Sequence, residues 1–100
     1  MSIIKNINKV FDNRVRLGIM SALMVNEEIN FNTLKELLDV TDGNLASHIK
    51  ALEKVNYIHI QKQFVGKKTN TTYRVSKTGK TAFQEHLNAL ETLIKNQKKR

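Results

Sequence analysis

The sequence predicts a mainly α-helical fold with a small β-hairpin (α+β), in the order α-α-β-α-α-β-β-α, as one domain over residues 1–100. Three observations carry that prediction. Apolar residues recur at helical spacing in five separate stretches, and between the fourth and fifth the period drops from 3.6 to 2. The chain has no proline and only four glycines, which favours regular elements over irregular loops. Its 40% hydrophobic content over 100 residues suits one modest core and leaves no material for a second.

The elements follow in chain order. Residues 3–11 place Ile3, Ile4, Ile7, Val10 and Phe11 at helical spacing, which predicts a first helix. A second runs from about Asn13 to Val25, capped by Asp12 or Asn13, with Val15, Ile19, Ala22 and Leu23 on one side. Ile29-Asn30-Phe31 alternates as a very short strand. Asn32 then offers a cap for a short helix, Thr33 to Asp39, that turns Leu34, Leu37 and Leu38 inward. Thr41 or Asp42 caps the next helix, about 42–55, whose apolar positions are Leu45, Ile49, Leu52 and Val55. From there Ile58, Ile60 and Phe64 alternate with polar residues as a strand, and Tyr73 and Val75 repeat the pattern. Between them Gly66-Lys67-Lys68-Thr69-Asn70 makes a polar hairpin tip, and Ser76 caps a long helix from about Lys77 onward. A short helix, a tight turn and a second helix followed by a hairpin is the winged helix-turn-helix order.

Charge distribution points to the partner. The chain carries 17 Lys+Arg against 9 Asp+Glu, a formal net charge of +8, which favours polyanions. From Lys54 through Gln84 there are seven cations (Lys54, Lys62, Lys67, Lys68, Arg74, Lys77 and Lys80) and no Asp or Glu. Such cations neutralise phosphates and release counterions. Over a wing of 62–75, Thr69, Asn70 and Thr72 add neutral donors for phosphate or minor-groove contacts.

Opposite the apolar stripe of the 42–55 helix lie Asn44, Ser47, Lys50, Ala51 and Lys54, a face without a carboxylate. In a major groove Asn pairs bidentately with adenine and Ser bonds either base edge, while Gly43 and Ala51 permit close approach. His48 flanks this face, suited either to a phosphate or to a half-buried place beneath the wing. Arg14 and Arg16 suit an ion pair with Glu27, Glu28 or Glu36, or a contact to the DNA backbone.

In the last helix Phe83, Leu87, Leu90 and Ile94 fall at spacings of four, three and four, a coiled-coil-like seam. Either the seam folds back on its own core, or it pairs with Ile3, Ile7 and Phe11 of a second copy. The length of the helix favours the second, making 1–11 and 77–97 dimerisation helices.

Several classes are disfavoured. The absence of cysteine removes disulfides and thiolate metal sites, and His48, His59 and His86 lack ligand-like spacing, so no metal or cofactor is expected. No paired carboxylates, Gly-rich phosphate loop or nucleophile–base arrangement suggests an enzyme. No apolar run approaches the roughly 18–20 residues of a membrane span, and the polar-interrupted N-terminus is unlike a signal peptide, so the expectation is a cytoplasmic protein.

The run Val40-Thr-Asp-Gly-Asn-Leu-Ala-Ser-His-Ile-Lys-Ala-Leu-Glu-Lys-Val-Asn-Tyr-Ile58 resembles the recognition helix and following turn of MarR/ArsR-type winged-helix regulators, especially their short stand-alone members. Thr71-Thr-Tyr-Arg-Val-Ser-Lys-Thr-Gly79 is similar to their strand-then-helix entry after the wing. The resemblance implies a homodimeric transcription regulator on pseudo-palindromic double-stranded DNA. Thr41, Asn44, Ser47 and His48 would face the DNA, and Lys67 to Thr72 would form the wing tip. Asn56 stands where the family often has glycine, but Asn also tolerates the left-handed conformation. Without Cys or clustered His, metal sensing is not implied, and because many MarR-type proteins frame an effector pocket with longer terminal helices, a small-molecule effector is left open. The alternative is a winged helix used for protein–protein contact or for non-specific nucleic-acid binding.

Overall fold

The structure is a computed structural model that describes residues 4–98, the side chains of Gln97 and Lys98 excepted. A 3₁₀ turn, Lys9–Phe11, leads into α1 (Arg14–Val25), β1 (Ile29–Asn30), α2 (Phe31–Leu38), α3 (Asp42–Lys54), β2 (Ile58–Val65), β3 (Lys68–Val75) and α4 (Lys77–Lys98). The strands form one antiparallel sheet in the order β1-β3-β2. No helix among the described residues is long and apolar enough to cross a membrane.

The expected first helix is replaced by turns and the single 3₁₀ turn. Asn8 is the reason. Its side chain accepts the Val10 N–H at 2.9 Å and donates to the Tyr57 hydroxyl at 3.1 Å, and its own N–H donates to His86 Nδ1 at 3.2 Å. Those bonds outweigh the helical periodicity and drive Phe11 into the interior, where it is 1% exposed. There it meets Phe83 edge-on with ring centroids 5.2 Å apart, Tyr57 at 5.5 Å and His86 at 5.1 Å. Phe11 and Phe83, expected at a dimer interface, are therefore core residues of the single chain, and Ile3 lies outside the described residues. Edge-on aromatic packing of this kind adds to the apolar burial of both rings.

Asn13 starts α1 as expected, accepting from Val15 and Arg16 N–H, and Ile19, Met20 and Leu23 are buried. The next helix begins two residues earlier than the sequence suggests, because Asn30, not Asn32, accepts the Thr33 N–H. The helix still buries Leu34 but leaves Leu37 61% exposed, so Leu37 is not an inward residue. Asp39, at φ 51°, ends α2, and Thr41 caps α3 by accepting the Asn44 N–H. Leu45, Ile49 and Leu52 of α3 complete the core, with Ile29, Ile58 and Tyr73 from the sheet.

At the end of α3, Asn56 takes φ 63°. Its N–H reaches the Glu53 carbonyl at 2.9 Å while the Tyr57 N–H reaches that of Leu52 at 3.0 Å, a Schellman closure made with asparagine. Ser76 then fastens α4 to this turn. Its hydroxyl donates to the Asn56 carbonyl at 2.7 Å and accepts the Gly79 N–H at 2.8 Å, and its backbone N–H bonds the Tyr57 carbonyl at 2.9 Å. Gly79 is needed there: a Cβ would fall on the Tyr57 carbonyl oxygen. Past His86, α4 leaves the core, and Leu87, Leu90 and Ile94 are exposed on a molecule 61 Å long.

Candidate nucleic-acid interface

Burying Leu45, Ile49 and Leu52 turns the opposite side of α3 outward. Thr41, Gly43, Asn44, Ser47, Lys50 and Lys54 are all exposed. Nothing lies within 4 Å of where a Cβ would stand on Gly43, so the first turn of the helix is open to close approach. Asp42 is also exposed there, but its carboxylate meets Lys35 of α2 at 2.7 Å, which offsets a negative charge at the helix start.

His48 is half-buried on the flank, and its Nδ1 accepts the Arg16 Nε–H at 3.1 Å. Burial, and then the Arg16 charge, hold its pKa below the usual histidine value. Accepting through Nδ1 while neutral leaves the proton on Nε2. Arg16 also donates to the Val10 carbonyl at 3.3 Å, so its partners are a ring nitrogen and a carbonyl, and the ion pair expected with Glu27, Glu28 or Glu36 is not among its contacts. The positioning role is therefore shared: α1 holds the histidine that flanks the α3 face.

The wing is tighter than the sequence suggests. Pairing runs from Ile58↔Val75 out to Val65↔Lys68, so Lys68, Thr69 and Asn70 belong to β3 and the loop is only Gly66-Lys67. Gly66 takes φ 66°, as the first central residue of a type II′ turn requires. Lys62, Lys67, Lys68 and Thr69 are exposed and Asn70 is half-buried. Thr72 is not available for the contact assigned to it. Opposite Asn30 of β1 and Gln61 of β2, it is 7% exposed.

Arg74 departs from expectation as well. Its guanidinium lies 3.7 Å from Glu27 and 3.3 Å from Glu28, carboxylates supplied by the connection between α1 and β1. The run from Lys54 to Gln84 that lacks acidic residues in sequence thus acquires two in space, at the foot of the sheet. These pairs are exposed and each is worth at most about 1 kcal/mol.

Between α3 and the sheet lies an open groove of about 500 Å³, lined by Gly43, Ser47, Lys50, Glu53, Ile60 and Tyr73 among others. The sequence did not reveal it, although the alternation that puts Ile60 on the inner face of β2 was its available sign. Burial, and then the Glu53 charge, push the Tyr73 hydroxyl above its usual pKa, which keeps it a neutral donor over the working range. Of the expected contacts, the structure brings Gly43, Asn44, Ser47 and Lys50 onto one open helix face beside the wing. Thr72 is buried in the sheet, and Arg74 stands paired with Glu27 and Glu28 at its foot.

Residues 15–94 match the family model of a winged helix DNA-binding domain. An uncharacterised protein of Methanocaldococcus jannaschii is 34% identical over 88 residues, covering 88% of this chain and 96% of that protein. The structure of a transcriptional regulator homologue from Pyrococcus horikoshii OT3 superposes with a TM-score of 0.79 at 30% identity, over 94% of this chain and 91% of that one. A MarR-family regulator of Enterococcus faecalis V583, at 18% identity and a TM-score of 0.72 over 92% and 86% of the two chains, shares the fold.

Proposed function

The chain belongs to the winged-helix DNA-binding domain family, and from that premise we propose that it regulates transcription by binding double-stranded DNA as a homodimer at a pseudo-palindromic site. The observation that carries the proposal is the face of α3. A helix whose outward residues are Gly43, Asn44, Ser47 and Lys50, all exposed, meets the major groove with base-reading amide and hydroxyl groups and a phosphate-seeking ammonium. Asn44 and Ser47 read base edges, and Thr41 bonds the DNA backbone at the start of the helix. Lys50 and Lys54 neutralise phosphates beside the groove, and Lys62, Lys67, Lys68, Thr69 and Asn70 grip the duplex from the wing. His48 acts through Arg16, fixing the flank of the reading helix.

The dimer rests on α4. Leu87, Leu90 and Ile94 form an exposed apolar seam on the part of the helix that has left the core, with Ile7 half-buried near its start. Pairing two such seams removes this apolar surface from water and places two copies of α3 on one side of a duplex, about one helical turn apart.

Selection of bound sequences from a random duplex pool, at near-physiological salt, tests the proposal. A two-fold-symmetric motif, weakened by Asn44→Ala or Ser47→Ala, supports it. Salt-sensitive binding without any motif would replace it with non-specific coating of nucleic acid.

A further inference from the structure

Phe64 belongs neither to the core nor to the exposed face of α3. The sequence pattern groups it with Ile58 and Ile60 on the inner face of β2, yet the structure leaves it 81% exposed, the core having ended several residues earlier. Strand alternation keeps Phe64 on the same face as Ile60 and Lys62, and the register adds Tyr73, Thr71 and Thr69 from β3. Ile60 and Tyr73 on that face line the groove against α3. Phe64 therefore lies on the strand face that carries Ile60 and Tyr73, roughly 13 Å farther out along the wing than Ile60 at ~3.3 Å per residue.

Its surroundings select the occupant. Residues 58–75 contain no Asp or Glu, and Lys62, Lys67 and Lys68 ring the tip. An apolar ring held up among cations beside a two-residue hairpin turn complements a polyanion with an apolar interior, which describes the stacked bases behind a phosphate backbone. The minor groove, about 6 Å wide, admits such a hairpin tip, and apolar side chains entering it pry open base steps and kink the duplex.

Resting on the DNA-binding role proposed above, we infer that Phe64 is a minor-groove wedge: its ring inserts at a base step beside the half-site read by α3, while Lys62, Lys67 and Lys68 clamp the flanking phosphates. The wedge makes the protein sensitive to bases that no side chain hydrogen-bonds. Pyrimidine–purine steps, which unstack easily, bind best at that position.

The test uses the duplex recovered by pool selection, or an alternating A·T duplex if no motif emerges, with 2-aminopurine at successive flanking positions and a fluorophore pair on the ends. Wild-type protein brightens 2-aminopurine at one step per half-site and shortens the end-to-end distance. Phe64→Ala abolishes both signals and weakens binding by about a hundredfold, about tenfold for each of the two rings that a dimer withdraws from the base stack. Phe64→Leu retains part of each signal, and Val65→Ala, on the opposite strand face, retains all of both. Circular dichroism of Phe64→Ala should match wild type, since the ring supports no core contact. Failure of wild-type protein to bind any duplex would overturn both the wedge and the DNA-binding proposal. Binding without brightening, or brightening that survives Phe64→Ala, would overturn the wedge alone. So would a change in oligomeric state on Phe64→Ala at unchanged DNA affinity, which would assign the ring to a protein contact.

Discussion

Gly79→Ala separates local propensity from tertiary constraint, because the two predict opposite signs. Alanine is the better helix former by about 1 kcal/mol, so propensity alone predicts a more stable protein. The structure predicts a weaker one. The added Cβ falls on the Tyr57 carbonyl oxygen, 2.8 Å from its carbon and 3.0 Å from Cα, so backbone must retreat by something of order 1 Å to restore van der Waals distance. That retreat strains two hydrogen bonds, Ser76 N–H to Tyr57 O at 2.9 Å and Gly79 N–H to Ser76 Oγ at 2.8 Å. Overpacking of this kind costs about 1–3 kcal/mol and each weakened bond up to about 1. Set against the propensity gain, the net loss is centred on roughly 2 kcal/mol, a fall in Tm of about 8–16 °C for a domain this size. Urea denaturation at matched protein concentration reads it, with Gly43→Ala as the control, since nothing crowds that position. A Gly79→Ala protein as stable as wild type, or more so, would refute the fastening of α4 to the turn after α3.

Phe11→Ala should cost about 3–5 kcal/mol in urea denaturation whatever the protein concentration, the behaviour of a core residue rather than an interface one. Leu90→Asp should leave secondary structure intact and yield a monomer by sedimentation, while Phe11→Ala should not alter the assembly. Lys67→Ala/Lys68→Ala should flatten the dependence of log affinity on log salt by about 0.9 for each phosphate no longer neutralised, counted over both subunits, without changing the preferred sequence. Stability should also fall in mild acid. His48 and His86 both have pKa values lowered in the fold, by burial and for His48 additionally by Arg16, so the unfolded chain binds protons more readily than the folded one. Their contribution is complete above the unfolded value of about 6.5 and is lost as pH falls from there through the lower folded values. Denaturation midpoints across that window check the sign, and an imidazole NMR titration at or above the unperturbed value for either ring would contradict it.

The parts of the fold legible in the sequence are those governed by neighbours along the chain. Asn13, Thr41 and Ser76 announce helix starts because an Asn, Thr or Ser side chain satisfies N–H groups two or three residues ahead. Asn56 marks the turn after α3 because few residues other than glycine accept a positive φ. What stayed hidden depends on partners far away in sequence. Asn8 abandons helical periodicity for Tyr57 and His86, 49 and 78 residues on. Arg74 finds Glu28 at a separation of 46 residues, and Thr72 is covered only because β1 pairs with β3. Alternation likewise shows which strand face Phe64 occupies but not where along the strand the core stops. The exposed face of α3 was readable, since a single helical period generates it; the groove beside it was not, since it exists only where two elements meet.

The carboxylates at the foot of the sheet also bear on how the molecule arrives at a duplex. Glu27 and Glu28 sit against Arg74 at the inner end of the hairpin, while Lys62, Lys67 and Lys68 stand toward its tip and form no ion pair among the described residues. The net charge of +8 is therefore unevenly spread, with the wing tip more positive than its root. In the field of a polyanion such a gradient exerts a torque, turning the tip inward before the two surfaces touch. A larger share of diffusional collisions then begins in a productive orientation, and added salt, by shortening the reach of the field, lowers the association rate as well as the final affinity.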